Sequence, residues 1–161
     1  LKDNEKKNML QIANDNSEGQ KVLSGKNEDI NNLILVLKEK SIRNIKLPVS
    51  APFHCSLMSN ATKIMTKELN KLDFKPSKNK LISNVTAKEI NNTVELKDLL
   101  IKQIESRVRW RESVINMIKD DINQFIEIGP GKVLSGLVKR ISKEVKINTI
   151  NSLTDIESLK I

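Results

Sequence analysis

The chain contains one histidine, His54, and its neighbours make it the first candidate for chemistry. His54 lies in a short segment after Pro48 and Pro52, and the two prolines restrict the backbone there. A restricted loop next to a helix holds a side chain in one direction. Because imidazole titrates near neutral pH, the sequence favours His54 as a general base or acid.

The nucleophile that such a base would activate is not recognisable. Cys55 is adjacent to His54, but neighbouring side chains of an extended loop point to opposite sides, so we expect Cys55 to be a small, half-buried residue and not the nucleophile. The Gly-x-Ser-x-Gly pattern of a serine nucleophile is absent from the sequence. Gly129-Pro130-Gly131 favours a tight strand-to-helix turn over a phosphate site. Gln103, a polar residue on an otherwise apolar helix face, is a weak signal by itself.

The elements that must position these residues alternate between strands and helices. Periodicity and turn residues predict strands at 9–12, 20–24, 42–47, 81–85, 124–128 and 146–150. They predict helices at 28–40, after an N-cap at Ser56, and at 93–104, 110–119, 133–142 and 152–160. The polar cluster 13–19 predicts a turn, and the polar N-terminal residues predict no element. This order indicates an α/β fold with parallel strand pairing.

The composition is that of a basic globular chain. Its 161 residues carry a formal net charge of +8, and aromatic residues make up 2%. The charge favours an anionic partner, but scattered Lys and Arg and few rings disfavour nucleic acid. The longest apolar run, residues 33–37, is too short for a membrane span, and one cysteine excludes an internal disulfide. The chain begins at Leu1 without an apolar leader, and we expect it to be a piece of a longer protein.

Five segments of the sequence, taken together and in order, form a pattern that is more specific than any one of them. The strongest is Leu47-Pro48-Val49-Ser50-Ala51-Pro52-Phe53-His54-Cys55. The others are residues 12–17 with 19–25, residues 81–85, Gln103 with Val108-Arg109-Trp110, and residues 126–134 with 136–140. Together they resemble the malonyl-CoA:acyl carrier protein transacylases, in the order of that family. The matches cover most of this chain but only the C-terminal half of a typical member.

The resemblance implies a two-part architecture. Residues 1–47 would be the end of a ferredoxin-like small subdomain, in agreement with the strand–strand–helix–strand order predicted for residues 9–47. Residues 48–161 would be the C-terminal part of an α/β-hydrolase-like acyltransferase subdomain.

The resemblance also implies an activity and its residues. Family members transfer malonyl from malonyl-CoA to a serine, and then to the phosphopantetheine thiol of acyl carrier protein, in type II fatty-acid synthesis. His54 would be the catalytic base and then the acid, and the carbonyl of Gln103 would orient it. Asn14, Asn16 and Asn84 match positions that line the substrate pocket, and Phe53 matches the malonyl-selective form of the histidine motif.

The context implied by the family is a cytoplasmic enzyme that is monomeric when complete. It would bind neither nucleic acid nor membrane and need no metal and no cofactor, with malonyl-CoA as substrate and phosphopantetheine supplied by the carrier protein. The positive charge would suit an acidic carrier protein. The serine, the oxyanion-hole glutamine and the malonyl-binding arginine lie upstream in the family, so we expect the isolated chain to be inactive. Arg107 replaces a common proline, and we expect Arg109 to form a structural ion pair.

Two alternatives stay open at this point. One is an acyltransferase domain of a polyketide synthase, which shares the chemistry in another context. The other is a non-catalytic basic binding module that retains the fold. A Gly-x-Ser-x-Gly motif upstream of Leu1 would argue against the second.

Overall fold

The computed structural model describes residues 9–159, and residues 1–8 and 160–161 lie outside the described residues. In chain order the elements are β1 (Gln11–Ser17), β2 (Gln20–Ser24), α1 (Asn27–Glu39), a 3-10 turn (Ser56–Met58), α2 (Ser59–Asn70), α3 (Thr93–Lys102), α4 (Trp110–Lys119), β3 (Gln124–Ile128), α5 (Val133–Ile141), β4 (Lys146–Ile150) and α6 (Leu153–Glu157). The predicted α/β class is confirmed. Within residues 9–159, none of the helices combines the length and the apolar composition that crossing a membrane requires.

The described strands form two small sheets. β1 and β2 make an antiparallel hairpin, and Gly19 at its turn has a φ of +73°, a conformation that glycine adopts without steric cost. β3 and β4 pair in parallel from Gln124 opposite Lys146 to Ile128 opposite Ile150, and α5 connects them. The prediction of parallel pairing is therefore confirmed for the C-terminal strands.

The polar cluster after Ile12 was expected to be a turn, and this prediction is wrong. Residues 13–17 continue β1, and the turn is confined to residues 18–19. Ala13, Asp15 and Ser17 are buried on one face of the strand. The Asp15 carboxylate accepts a hydrogen bond from Lys21 Nζ at 2.7 Å, which compensates for its burial.

Three other local predictions also differ from the structure. Residues 42–47 form no strand, and Ile42, Ile45 and Leu47 are exposed there. The strand predicted at 81–85 is reduced to one antiparallel bridge between Ile82 and Glu89. Ser56 begins the 3-10 turn instead of capping a helix, and α2 begins at Ser59.

The described residues bury a limited core and leave much apolar surface exposed. The buried hydrophobic residues are Leu10, Ala13, Leu33, Cys55, Ala87, Leu99, Val108, Val114, Leu137 and Val138. In contrast, Ile128 at the end of β3 is 78% exposed and Val133 at the start of α5 is 73% exposed. Parallel sheets in proteins are normally covered on both faces. Within the described residues, the end of β3 and the start of the following helix are therefore left without such cover.

Candidate active site

His54 has an unusual backbone conformation in the loop before the 3-10 turn. Its φ is +60°, in the left-handed region that non-glycine residues rarely occupy. Such a conformation persists only where surrounding contacts impose it, and it is frequent at functional sites. One such contact is the hydrogen bond from the His54 main-chain N–H to the carbonyl of Ile104, at 3.2 Å.

The residues that follow His54 anchor the loop to the body of the protein. Cys55 is fully buried, and its thiol donates to the Pro52 carbonyl at 3.1 Å. The main-chain N–H of Ser56 donates to Oε1 of Gln11, on β1, at 2.6 Å. Cys55 is therefore more buried than the half-buried residue that was expected, and the histidine loop is hydrogen-bonded directly to the hairpin.

The imidazole of His54 is held by the C-terminal end of α3. Its Nδ1 lies 2.8 Å from the main-chain carbonyl oxygen of Gln103. Gln103 is the C-cap of that helix, where the last carbonyls have no partner within the helix. A carbonyl oxygen only accepts hydrogen bonds, so His54 Nδ1–H donates, and in the neutral ring Nε2 then keeps its lone pair. The half-buried imidazole is thus held in the tautomer that leaves Nε2 free to act as a base.

The residues after Gln103 connect the histidine to two other parts of the fold. We call residues 103–109 the carbonyl segment, because its first two carbonyls accept from His54. Val108 exchanges hydrogen bonds with β1: its N–H donates to the carbonyl of Ala13 at 2.8 Å, and its carbonyl accepts from the N–H of Asp15 at 2.9 Å. Asn84 Nδ2 donates to Gln103 Oε1 at 3.3 Å. The carbonyl segment is therefore held at both ends.

The other predicted site residues occupy different parts of the fold. Asn14 and Asn16 are half-buried on the face of β1 opposite Ala13 and Asp15, and Asn14 forms a parallel bridge with Val108. Phe53 precedes His54 and is 49% exposed. Within residues 9–159, the structure describes no hydrogen bond from these side chains to His54. Their roles in substrate binding stay predictions.

Sequence reasoning missed three residues that build the site. They are Ile104, which supplies a carbonyl to the His54 backbone, Val108, which joins the carbonyl segment to β1, and Gln11, which holds the loop at Ser56. The first two act through main-chain atoms, which any residue type supplies. The sequence carried no signal for Ile104, and Val108 stood in a matched segment without a role assigned to it. Gln11 lay inside a predicted strand, but nothing in the sequence paired it with residue 56.

Arg109 forms the structural ion pair that was expected of it. Its guanidinium pairs with the Glu112 carboxylate, and Arg107 approaches the same carboxylate at 3.5 Å. Arg109 Nη1 also donates to the Val85 carbonyl at 3.4 Å. Arg107, which stands where proline is common in the family, is thus a second partner for the Glu112 carboxylate.

The N-terminus of α5, after Gly129-Pro130-Gly131, is filled by a carboxylate of the chain itself. Glu127 accepts from the main-chain N–H groups of Leu134 at 3.1 Å and Ser135 at 2.7 Å. The Ser135 side chain and the N–H groups of this helix end hold the pKa of Glu127 below its usual range. The Gly131 N–H donates to Asn151 Oδ1 at 2.7 Å. The prediction of a tight turn is therefore supported, since these donors have internal partners.

Comparison with known proteins gives the family context of this geometry. No protein-family model matches the chain. The malonyl CoA-acyl carrier protein transacylase of Bacillus subtilis (strain 168) is 39% identical over 154 residues, which are 95% of this chain and 49% of that protein. The crystal structure of the Clostridium perfringens transacylase matches at a TM-score of 0.89 and 35% identity, over 98% of this chain and 50% of that one. The chain is homologous to the C-terminal half of malonyl CoA-acyl carrier protein transacylases.

The likeness to the transacylases extends through this half of the fold. A malonyl-transacylase solved in complex with a type II polyketide acyl-carrier protein matches at a TM-score of 0.90 and 28% identity, over 98% of this chain and 51% of that one. The chain spans about half the length of the curated transacylases it matches. The resemblance seen in the sequence motifs is confirmed, and it concerns the half that carries His54.

Proposed function

We propose that the chain is the histidine-bearing half of an enzyme that transfers malonyl from malonyl-CoA to the phosphopantetheine thiol of acyl carrier protein, in fatty-acid synthesis. The observation that carries the proposal is the 2.8 Å contact between His54 Nδ1 and the Gln103 carbonyl, in a chain homologous to transacylases. This contact fixes the proton on Nδ1 and presents a basic Nε2 on the other side of the ring.

In the first half-reaction, His54 Nε2 accepts the proton of a serine hydroxyl supplied by the N-terminal half. The serine oxygen attacks the thioester carbonyl of malonyl-CoA, and the C–S bond breaks. The leaving thiolate of coenzyme A takes the proton from Nε2. While the imidazole is positively charged, the Gln103 carbonyl oxygen against Nδ1 stabilises it.

In the second half-reaction, the same groups act in reverse. The phosphopantetheine thiol of the carrier protein gives its proton to Nε2 and attacks the malonyl-serine ester. The C–O bond breaks, and the serine oxygen regains the proton from His54. No proton is gained or lost over the cycle, and the chain's contribution is one correctly held base.

We assign Phe53, Asn14 and Asn16 to the acyl pocket. Phe53 is next to His54 and half of its surface is exposed, which suits contact with the acyl group. Asn14 and Asn16 share one face of β1, and Asn14 is bridged to Val108 in the carbonyl segment. A bulky ring beside the base leaves little room for a branched acyl chain, so Phe53 favours malonyl.

We assign the C-terminal β3–α5–β4 unit to an α/β-hydrolase-like core that the N-terminal half completes. Its parallel pairing through a crossover helix and its exposed apolar residues support this assignment. The β1–β2–α1 unit, up to residue 47, is assigned to the end of a ferredoxin-like subdomain.

The complete enzyme is monomeric and cytoplasmic, and its basic surface suits an acidic carrier protein.

The context of the reaction has a second candidate. The match to a malonyl-transacylase bound to a type II polyketide acyl-carrier protein favours polyketide synthesis as an alternative pathway with identical chemistry. The two contexts differ in the carrier protein that accepts malonyl, so transfer rates to a fatty-acid carrier and to a polyketide carrier distinguish them.

A chimera tests the proposal directly. Residues 1–161 replace the homologous C-terminal half of the Bacillus subtilis transacylase, and malonyl transfer to acyl carrier protein is measured. We expect transfer by the chimera and none by the Bacillus half alone. A folded chimera that binds malonyl-CoA but transfers no malonyl would refute the proposal.

A further inference from the structure

The turn at residues 83–87 is built as a rigid support. The Ser83 hydroxyl accepts the Val85 N–H at 3.1 Å, and the Ser83 carbonyl accepts the Ala87 N–H at 2.8 Å. Asn116, on α4, donates through Nδ2 to the Ala87 carbonyl at 2.9 Å. Ser83 and Ala87 are 5% and 0% exposed. The turn is therefore fixed against the helix, and its one exposed corner is Asn84.

Asn84 contacts both ends of the carbonyl segment. Its side-chain Nδ2 donates to Gln103 Oε1 at 3.3 Å, and its main-chain carbonyl accepts the N–H of Arg109 at 2.9 Å. The segment between these contacts supplies the two carbonyls that hold His54, those of Gln103 and Ile104. A side chain on a fixed turn thus reaches the residue whose carbonyl sets the tautomer of the base.

We propose that Asn84 is a positioning residue for His54 and acts through Gln103. The inference rests on the proposed role of His54 as the base, and it gives Asn84 a role other than contact with substrate. The Nδ2 donor of Asn84 is used by Gln103, so its amide restrains the Gln103 side chain. Restraint of Gln103 keeps its carbonyl oxygen in line with Nδ1 of His54. The φ of +60° at His54 needs such support from neighbouring residues.

The test uses the single histidine of the chain as its own probe. In the 161-residue protein labelled with ¹⁵N, the Nδ1 and Nε2 shifts of His54 report which nitrogen carries the proton in the neutral ring. We expect the Nδ1–H form to predominate, and Asn84→Ala to lower its population relative to Nε2–H by roughly 2- to 10-fold, the worth of one net hydrogen bond. Asn32→Ala, at an exposed site on α1, is the matched control and leaves the ratio unchanged.

A double-mutant cycle separates positioning from a general loss of structure. If Asn84 acts through Gln103, then Asn84→Ala has no further effect on the tautomer ratio in a Gln103→Ala background. Additive effects of the two substitutions would overturn the proposal, as would an unchanged ratio in Asn84→Ala. If Asn84→Ala does not fold, Asn84→Asp, which keeps the size of the side chain but removes the donor, replaces it in the cycle, and additivity with Gln103→Ala has the same meaning.

The chimera provides the functional readout. A positioning role predicts that Asn84→Ala lowers kcat by roughly 2- to 10-fold and leaves KM for malonyl-CoA unchanged. A raised KM with unchanged kcat would instead assign Asn84 to substrate binding and overturn the proposal. Loss of transfer by the parent chimera would count against the proposed function, whereas the tautomer ratio of the chain tests Asn84 independently of activity.

Discussion

At the scale of single residues, His54, Gln103 and Asn84 come from separate parts of the sequence and are joined by hydrogen bonds. The main-chain carbonyl of Gln103 lies 2.8 Å from His54 Nδ1, and Asn84 Nδ2 donates to Oε1 of the Gln103 side chain. In the proposed function His54 is the base, and these contacts hold it in place. Each contact is a single hydrogen bond, worth about 1 kcal/mol net. The left-handed conformation of His54 costs a comparable amount, so the loop depends on its neighbours for its shape.

The first prediction concerns the residue next to the base. In the chimera, Phe53→Ala should raise the rate of transfer from a methyl-branched malonyl thioester relative to malonyl by about tenfold, because removal of the ring makes room for the branch. The ratio of kcat/KM for the two thioesters measures it. Phe74→Ala removes a ring that lies under the Lys97 ammonium instead, and it should leave the ratio unchanged. An unaltered ratio in Phe53→Ala would remove Phe53 from the acyl pocket.

At the scale of elements, α5 carries an internal anion at its N-terminus. The Glu127 carboxylate accepts the N–H groups of Leu134 and Ser135, which have no partner within the helix. Because its pKa is lower in the folded chain than in the unfolded one, its stabilising effect is present above the unfolded pKa of about 4.3. The effect is lost as the pH falls from that value through the folded pKa.

Glu127→Gln should therefore lower the thermal midpoint at pH 7, where the carboxylate is ionised, and have a smaller effect below about pH 4. Thermal unfolding followed by circular dichroism at both pH values measures the difference. Glu144→Gln is the control, because Glu144 is exposed and lies outside this helix end. An equal decrease of the thermal midpoint at both pH values would show that the charge of Glu127 does not stabilise α5.

The elements also show how far the sequence could predict this structure. The bounds predicted for β3 and β4 agree with the structure to the residue, and those of α5 to one residue, because apolar periodicity within a segment determines them. The polar end of β1 was missed, because its strand conformation depends on Val108 and Lys21 from other parts of the chain. The strand predicted at 42–47 failed because periodicity alone supplies no partner strand.

The candidate site, like the fold, could be predicted from the sequence only in part. His54 and Gln103 came from residue type and from the resemblance, and the structure places them in contact. The carbonyl of Ile104 and the hydrogen bond between Asn84 and Gln103 were not foreseen. Both depend on tertiary geometry, because one uses a main-chain atom and the other joins residues that are 19 positions apart.

At the scale of the whole molecule, the described residues leave many large apolar side chains exposed. The most exposed large apolar side chains are Leu153 at 80%, Ile128 at 78%, Val94 and Val133 at 73%, and Ile45 at 72%. The chain also spans about half the length of the curated transacylases it matches. We expect another stretch of polypeptide to cover these side chains in a complete transacylase.

We therefore expect the isolated 161-residue chain to bind a hydrophobic fluorescent dye and to transfer no malonyl. Addition of the N-terminal half of the Bacillus subtilis transacylase should reduce the dye signal as the apolar surface becomes covered. Fluorescence titration and a malonyl-transfer assay measure the two effects. Transfer of malonyl by the isolated chain at the rate of a complete transacylase would contradict this account.

The central claim is that His54 is the base of a malonyl transacylase, and single-turnover acylation of the chimera tests it most directly. Mass spectrometry follows the malonyl adduct on the Bacillus half after mixing with malonyl-CoA. We expect His54→Ala to slow adduct formation by about 10²- to 10⁴-fold, the usual contribution of a general base. Cys55→Ala should retain most of the rate, because the buried thiol donates to Pro52 and takes no part in the reaction. If His54→Ala forms the adduct at the parent rate, or Cys55→Ala abolishes it in a folded protein, the assignment of the base is wrong.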